Sequence, residues 1–200
     1  LQNGAIHDPE AAEKFLNSIN SNSERLADMI DDLLELEKIE VGQIFLKNEK
    51  IKLKDEIDLV IDSLSTLIVE KNLLLENRVS SNHKFKIDRQ SLRDILINLL
   101  NNAVKYSKAN GKIILSSELS KDYLTLKIQD FGYGIEKMNI KRIFDRFYRT
   151  AKARANTKGT GLGLTLVNQL VKRIGGKISV DSKIGKGTSF FVDFPFKTVK

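Results

Sequence analysis

The sequence predicts an α+β chain: one long helix, then an antiparallel-rich sheet covered by helices. Three observations carry this. Residues 8–40 keep apolar positions at three- and four-residue steps. The segments 112–130 and 177–196 each read as two alternating strands around a short polar turn. Further stretches of helical periodicity lie between them, and a sheet with helices laid on it is the layering that buries both kinds of apolar face.

The elements follow in order. Phe15, Ile19, Leu26, Met29, Ile30, Leu33, Leu36 and Ile39 form the stripe of the first helix, with acidic and polar residues between. Asp8 suits its N-cap, Pro9 its first turn and Gly42 its stop. So narrow a stripe on so long a helix calls for a partner helix. Composition changes at 41–44, dividing residues 1–42 from a larger domain, 43–200. There, IFLKNEKIKL reads as a strand, and a helix follows over 54–70 through Ile57, Val60, Ile61, Leu64 and Leu67. LLLENRVS and KFKI read as short strands with a polar turn between them. Asp88 caps the next helix, which contains ILINLLNNAVKYS, 95–107. KIILSSEL and DYLTLKIQD make a hairpin around Ser120-Lys121-Asp122. A short helical piece falls near IKRIFDRFYR, followed by a loop. A helix over 162–174 ends at Gly175-Gly176, and KISVDS and TSFFVDFPF close the chain around the turn KIGKG.

Composition narrows the function. The 200 residues are 41% hydrophobic and 30% charged, with no cysteine, so disulfides and thiolate metal sites are excluded. No apolar run approaches the ~18 residues of a membrane span, and LQNGAIHDPE lacks the basic start and apolar core of a signal peptide. The net charge of +7 is uneven: residues 1–60 hold 14 acidic and 7 basic side chains. Residues 136–159 hold eight Lys/Arg against Glu136 and Asp145. That excess reads as an anion site, as solvated charge or as a surface for nucleic acid.

Three motifs carry chemistry. Asn98, Asn102 and Lys105 fall at i, i+4 and i+7, one face of a helix. Asn is a poor helix former, and burying an amide without a partner costs about 1–3 kcal/mol. Amide oxygens beside an ammonium suit a magnesium-bound polyphosphate, though a solvated polar face has the same spacing. In KGTGLGLTLV, 158–167, Gly159, Gly161 and Gly163 permit close backbone approach at a helix N-terminus, an anion site, or else make a flexible hinge. DFGYGI, 130–135, follows a strand and read alone is a glycine turn opened by Asp. Its Asp-Phe-Gly spells the metal motif of protein kinases, but no Gly-rich-loop strand, Val-Ala-Ile-Lys or His-Arg-Asp accompanies it.

In the order Asn-x-x-x-Asn-Ala-x-Lys-Tyr, Asp-x-Gly-x-Gly-Ile, Phe-Asp-Arg-Phe-Tyr-Arg and Gly-Thr-Gly-Leu-Gly-Leu, the set resembles the N, G1, F and G2 boxes of sensor histidine kinases. These belong to the nucleotide-binding superfamily shared with gyrase B, Hsp90 and MutL. The resemblance spans 44–196, and SERLADMIDDLLELEKIEVG is similar to the second helix of the kinase dimerisation domain. It implies a Bergerat-type α/β sandwich with a mixed sheet, and ATP held between a helix layer and a lid. By the same resemblance Asn102 is the Mg2+ ligand, Asn98 sits beside it near the phosphates, Lys105 meets phosphate oxygens and Tyr106 lies by the nucleotide. Asp130 accepts from the exocyclic amine of adenine, Gly132 and Gly134 let the backbone approach the base, and Ile135 belongs to the same ATP site. Thr188 supports that pocket. Arg149 reaches the γ-phosphate from the lid, whose Gly159, Thr160, Gly161, Leu162, Gly163 and Leu164 complete the ATP site; Phe144 and Phe147 anchor it by packing. Asn98, Lys105 and Arg149 are the residues implied in transfer.

Two departures qualify the likeness. Hydrolytic relatives carry a Glu one turn before the metal Asn; here Asn98 stands there and cannot act as a base. The family's acceptor His, followed by an acid, Arg and Pro, has no match: His7 precedes the long helix and His83 sits in a polar turn. The resemblance thus implies a cytoplasmic fragment that starts after the acceptor helix, from a parent anchored in the bacterial membrane and dimeric when intact. Its partners are that acceptor helix and a response-regulator receiver domain, with no specific nucleic acid. The rival readings are a nucleic-acid module built on 136–158, and an ATP-gated interaction domain or hydrolytic ATPase.

Overall fold

The computed structural model describes residues 8–42, 46–150, 153 and 159–196. Its helices are α1 (Pro9–Glu40), α2 (Leu53–Ser63), α3 (Ser65–Glu70), α4 (Arg89–Tyr106) and α5 (Gly163–Arg173). Its strands are β1 (Asn48–Lys52), β2 (Leu74–Arg78), β3 (Lys84–Asp88), β4 (Lys112–Leu119), β5 (Tyr123–Asp130), β6 (Lys177–Lys183) and β7 (Gly187–Pro195). Five strands form a mixed sheet in the order β2-β4-β5-β7-β6, and β1 and β3 pair separately. The expected change of domain at 43 falls on residues outside those described.

One face of the sheet is apolar because its strands alternate. On β5, Leu124, Leu126, Ile128 and Asp130 are buried while the residues between them are half-buried. Leu92, Ile95, Leu96 and Leu99 of α4 and Leu166, Val167 and Leu170 of α5 lie within the same core as Ile113, Leu115, Val192 and Phe194. Each such side chain contributes about 1.5–3 kcal/mol of burial. Glu56 of α2 is buried in that layer and is held by Arg89 and, at 2.7 Å, by Arg93 of α4, so an ion network joins the two helices.

The caps are as expected: Asp8 accepts from the backbone N–H of Glu10 and Ala11, and Asp88 from that of Ser91. Lys71 closes the other end of α4, donating from Nζ to the carbonyls of Val104 at 2.9 Å and Lys105 at 2.8 Å. Both C-terminal hairpins form, with Leu119 opposite Leu124 and Lys183 opposite Gly187.

The two short strands expected on either side of the polar turn both form and take separate partners: β2 runs parallel to β4, and β3 runs antiparallel to β1. Val79, just after β2, is buried. Three expectations are corrected. The helix expected over 54–70 breaks at Leu64, where Ser63 Oγ donates back to the Val60 carbonyl at 2.7 Å. Of the strand expected over 44–53, the described part is a strand at Asn48–Lys52, and Ile44 and Phe45 lie outside the described residues. The helical piece near 140–149 is a 3-10 turn at Lys137–Asn139 followed by irregular turns. Phe147 there has φ +59°, which no helix accepts. Side chains hold this segment instead: Tyr148 Oη donates to Asn139 Oδ1 at 2.8 Å, and the Arg142 guanidinium lies 4.3 Å from the Tyr148 ring centre.

The C-terminal end of α1 packs on α5 through buried Leu36 and Ile39. Arg173 Nη1 donates to the Ile39 carbonyl at 2.9 Å, and Arg146 pairs with Glu40. Farther toward its start, Phe15, Ile19, Leu26 and Ile30 are exposed, so most of the apolar stripe is uncovered.

Candidate functional site

A cavity of about 1070 Å³ opens between α4, the ends of β5 and β7, the segment 133–150 and the glycine-rich loop before α5. It gathers Asn98, Asn102, Lys105, Tyr106, Asp130, Gly134, Ile135, Arg149, Gly159, Thr160, Gly161, Gly163, Leu164 and Thr188. Two expected residues do not line it. Leu162 is fully buried in the core, where it anchors the loop. Gly132 lies behind the wall, and a Cβ there would stand 2.0 Å from the Tyr106 carbonyl oxygen. Only glycine fits so close an approach of two backbones.

The helical face has a defined polarity. Asn98 Nδ2 donates to the Asp94 carbonyl at 2.9 Å. Its Oδ1 therefore points the other way, toward Gly163, where a Cβ would stand 2.4 Å from it. Lys105 lies under Gly159, with Nζ 2.4 Å from where a Cβ would be. The loop thus rests directly on the amide-bearing face. The Asn98 oxygen and the Asn102 amide, both on the cavity wall, are neutral hard donors of the type that Mg2+ takes beside phosphate.

At the opposite end Asp130 is buried, with only 4% of its surface exposed. Burial pushes its carboxyl up to about 6, against the pull of the backbone N–H groups of Gly132 and Thr188. Both donate to Oδ1, at 2.8 and 3.3 Å, so Oδ1 is committed to the protein. The register sets Asp130 opposite Thr188.

Arg149 is turned into the loop, donating to the carbonyls of Gly159 at 3.0 Å and Ala153 at 2.7 Å. Thr160 Oγ1 donates to Asp32 Oδ2 of α1 at 2.8 Å. Thr165 donates to the Phe144 carbonyl at 3.0 Å, tying α5 to the segment that carries Arg149. Phe144 packs against the core, but Phe147 is exposed, so only the first of the two expected anchors packs. Lys152, Arg154 and Lys158 of the basic run lie outside the described residues.

Sequence reasoning missed part of this wall. Asp28, Asp31 and Asp32 of α1 line the cavity, as does Asn101. The acids were visible as the polar side of an amphipathic helix, but which face they would meet was not encoded locally. His83 does not line the cavity; its Nδ1 is 2.9 Å from Ser117 Oγ, beside the sheet edge. His7 lies outside the described residues. No helix among the described residues is long and apolar enough to cross a membrane.

Residues 87–198 match the family described as histidine kinase-, DNA gyrase B-, and HSP90-like ATPase. Over 98% of its length the chain is 32% identical to the sensor histidine kinase WalK of Bacillus subtilis, of which it covers 33%. It therefore spans about a third of that relative. Among solved structures, the histidine kinase AdeS of Acinetobacter baumannii superposes with a TM-score of 0.77 at 25% identity, covering 98% of this chain and 92% of that one. Full-length ShkA in complex with AMPPNP superposes with a TM-score of 0.80 at 25% identity, over 94% of this chain and 39% of that one.

Proposed function

We propose, because this chain belongs to the histidine kinase-, DNA gyrase B-, and HSP90-like ATPase family, that it is the ATP-binding catalytic part of a two-component sensor histidine kinase. The observation that carries the reading is the polarity of one cavity, with amide oxygens and Lys105 at one end and a buried carboxylate at the other. Adenine sits at the Asp130 end, with its exocyclic amine donating to Oδ2, the oxygen not committed to Gly132 and Thr188. Gly134, Ile135, Tyr106 and Thr188 wall the base. The triphosphate runs toward α4, where Lys105 meets its oxygens. Asn102, with Asn98 beside it, holds Mg2+, which neutralises charge on the phosphates. Gly159, Thr160, Gly161, Gly163 and Leu164 close over the phosphates, with Leu162 as the buried pivot. Arg149 leaves its loop carbonyls to meet the γ-phosphate and stabilises the charge that develops during transfer.

The phosphoryl group passes to a neutral imidazole on an acceptor helix and then to an aspartate of a response regulator. The uncovered stripe of α1, with Phe15, Ile19, Leu26 and Ile30, takes that acceptor helix and its symmetry mate, so residues 1–42 act as a dimerisation element. The work is done on the cytoplasmic side of the membrane that anchors the parent. Asn98 disfavours the hydrolytic reading, since its amide cannot take a proton from water. With γ-labelled ATP, the chain is expected to label a supplied acceptor-helix domain while gaining no stable phosphate itself. Sustained phosphate release with no labelled acceptor would overturn the kinase reading in favour of an ATPase.

A further inference from the structure

Asp130, Thr188 and Ser182 stand in one row across three adjacent strands: Asp130 is opposite Thr188 on β5 and β7, and Thr188 is opposite Ser182 on β7 and β6. Directly opposed residues project to the same side of a sheet. The row therefore starts at the buried carboxylate and ends at a hydroxyl that does not line the cavity. Ser182 Oγ has three partners: the Ile135 N–H at 2.8 Å, the Gly187 carbonyl at 2.9 Å and Thr188 Oγ1 at 3.0 Å.

A serine hydroxyl has one proton and two lone pairs, which leaves a single way to satisfy all three partners. A carbonyl cannot donate, so the Ser182 proton goes to Gly187. Ile135 N–H can only donate, so it takes one lone pair. The remaining contact then requires Thr188 to donate its proton to the second lone pair. Thr188 is thereby left with lone pairs only on its cavity side. Beside it, Asp130 is also an acceptor when ionised. At Asp130 and Thr188 the base end of the cavity then offers acceptors and no side-chain donor.

We propose that Ser182 is a positioning residue that fixes Thr188 as an acceptor and so favours a 6-amino over a 6-oxo purine. This rests on the adenine-pocket reading above. An amino group carries two N–H donors for these acceptors; the 6-carbonyl of a 6-oxo purine meets only their lone pairs, and its single N1–H serves one acceptor at most.

The test measures ATP and ITP affinities by calorimetry for the wild-type chain, Ser182→Ala, Ser182→Thr and Asp130→Asn. In Ser182→Ala the Thr188 hydroxyl is free to turn and donate to a carbonyl. The preference for ATP over ITP should fall by about five- to tenfold, the size expected when one buried hydrogen bond is reassigned. Ser182→Thr keeps the hydroxyl on a β-branched residue suited to a strand, and should retain the preference. Equal weakening of both nucleotides in Ser182→Ala would mean that Ser182 only supports the fold, and would overturn the proposal. So would a lost preference in Ser182→Thr with ATP affinity intact. The parent reading fails separately: Asp130→Asn leaving ATP affinity unchanged would remove adenine from this end of the cavity.

Discussion

Thr160 Oγ1 donates to Asp32 Oδ2 at 2.8 Å, so a side-chain hydrogen bond fastens the glycine-rich loop to the long helix. Burial between the two elements raises the Asp32 carboxyl above the ordinary aspartate range, partly offset by the Thr160 bond. If the loop must leave Asp32 to close over phosphates, the contact opposes nucleotide binding. Asp32→Ala should then tighten ATP by about two- to fivefold, the worth of one hydrogen bond to a carboxylate in a half-exposed setting. Amide exchange at Gly161 and Leu162 should quicken in the free chain. Weaker ATP binding in this variant would show that Asp32 instead holds the loop ready.

Asp130 carries a second prediction. Asp130→Asn should weaken ATP by about ten- to a hundredfold, since a charge-assisted hydrogen bond is worth ~1.5–3 kcal/mol. Its carboxyl, pushed up to about 6 by burial, also sets a pH dependence. The ionised form is the better acceptor, so ATP affinity should fall as pH drops from 7 to 5, and the Asn variant should show a flatter profile. In the free chain the sign for stability is opposite. The folded state holds this proton more tightly than the unfolded state, so the stability it contributes is present at low pH and is lost as pH rises through about 6.

A third concerns Glu35 of α1 and Asp94 of α4, which share a hydrogen bond across the helix interface. Burial, then the Asp94 charge, pushes Glu35 up to about 7, with Asp32 adding to the rise and Lys38 opposing it. Burial raises Asp94 as well. The folded pair keeps a proton that the unfolded chain releases near the ordinary glutamate value. Its contribution is therefore complete below about pH 4.5 and disappears as pH rises through about 7. Glu35→Gln removes one titration and should raise the melting temperature at pH 8 more than at pH 5. A Glu35→Gln minus wild-type difference that is flat across this range would refute the shared proton.

Glu56 gives a fourth. Its side chain is 2% exposed and holds both Arg89 and Arg93. Glu56→Ala leaves a cavity between α2 and α4, takes from Arg93 its carboxylate and leaves Arg89 with Glu49 alone. The loss should be about 3 kcal/mol, or roughly 6–12 °C in melting temperature for a chain of this size. Glu56→Gln keeps the volume and should recover part of it. A shift under one degree in Glu56→Ala, measured at low and at high salt, would show that the network adds nothing net.

Most of the fold was legible because its signals are local. Asp8, Pro9 and Asp88 mark helix starts by chemistry that acts within one turn. The last four strands alternate cleanly and join through short turns. β2 and β3 were legible as strands but their partners were not, because pairing is nonlocal: β2's partner, β4, comes only after all of α4, and β3's partner, β1, lies before α2. The site divides in the same way. Asn98, Asn102 and Lys105 were readable from helical spacing, and the glycines from the backbone approaches they permit. Ser182 carried no signal, being one serine in a strand whose importance comes from partners at 135, 187 and 188. Asp32 was hidden among other acids until the loop came to rest on it.

The cavity takes its walls from positions as far apart as Asp28 and Phe190. No contiguous piece of the chain encloses it, so it exists only after nearly every element has condensed. A bound nucleotide therefore acts as a keystone: at a hundredfold excess over its dissociation constant it adds about 2.7 kcal/mol to the whole arch rather than to one stone. Nucleotide supply then sets how long the folded chain endures.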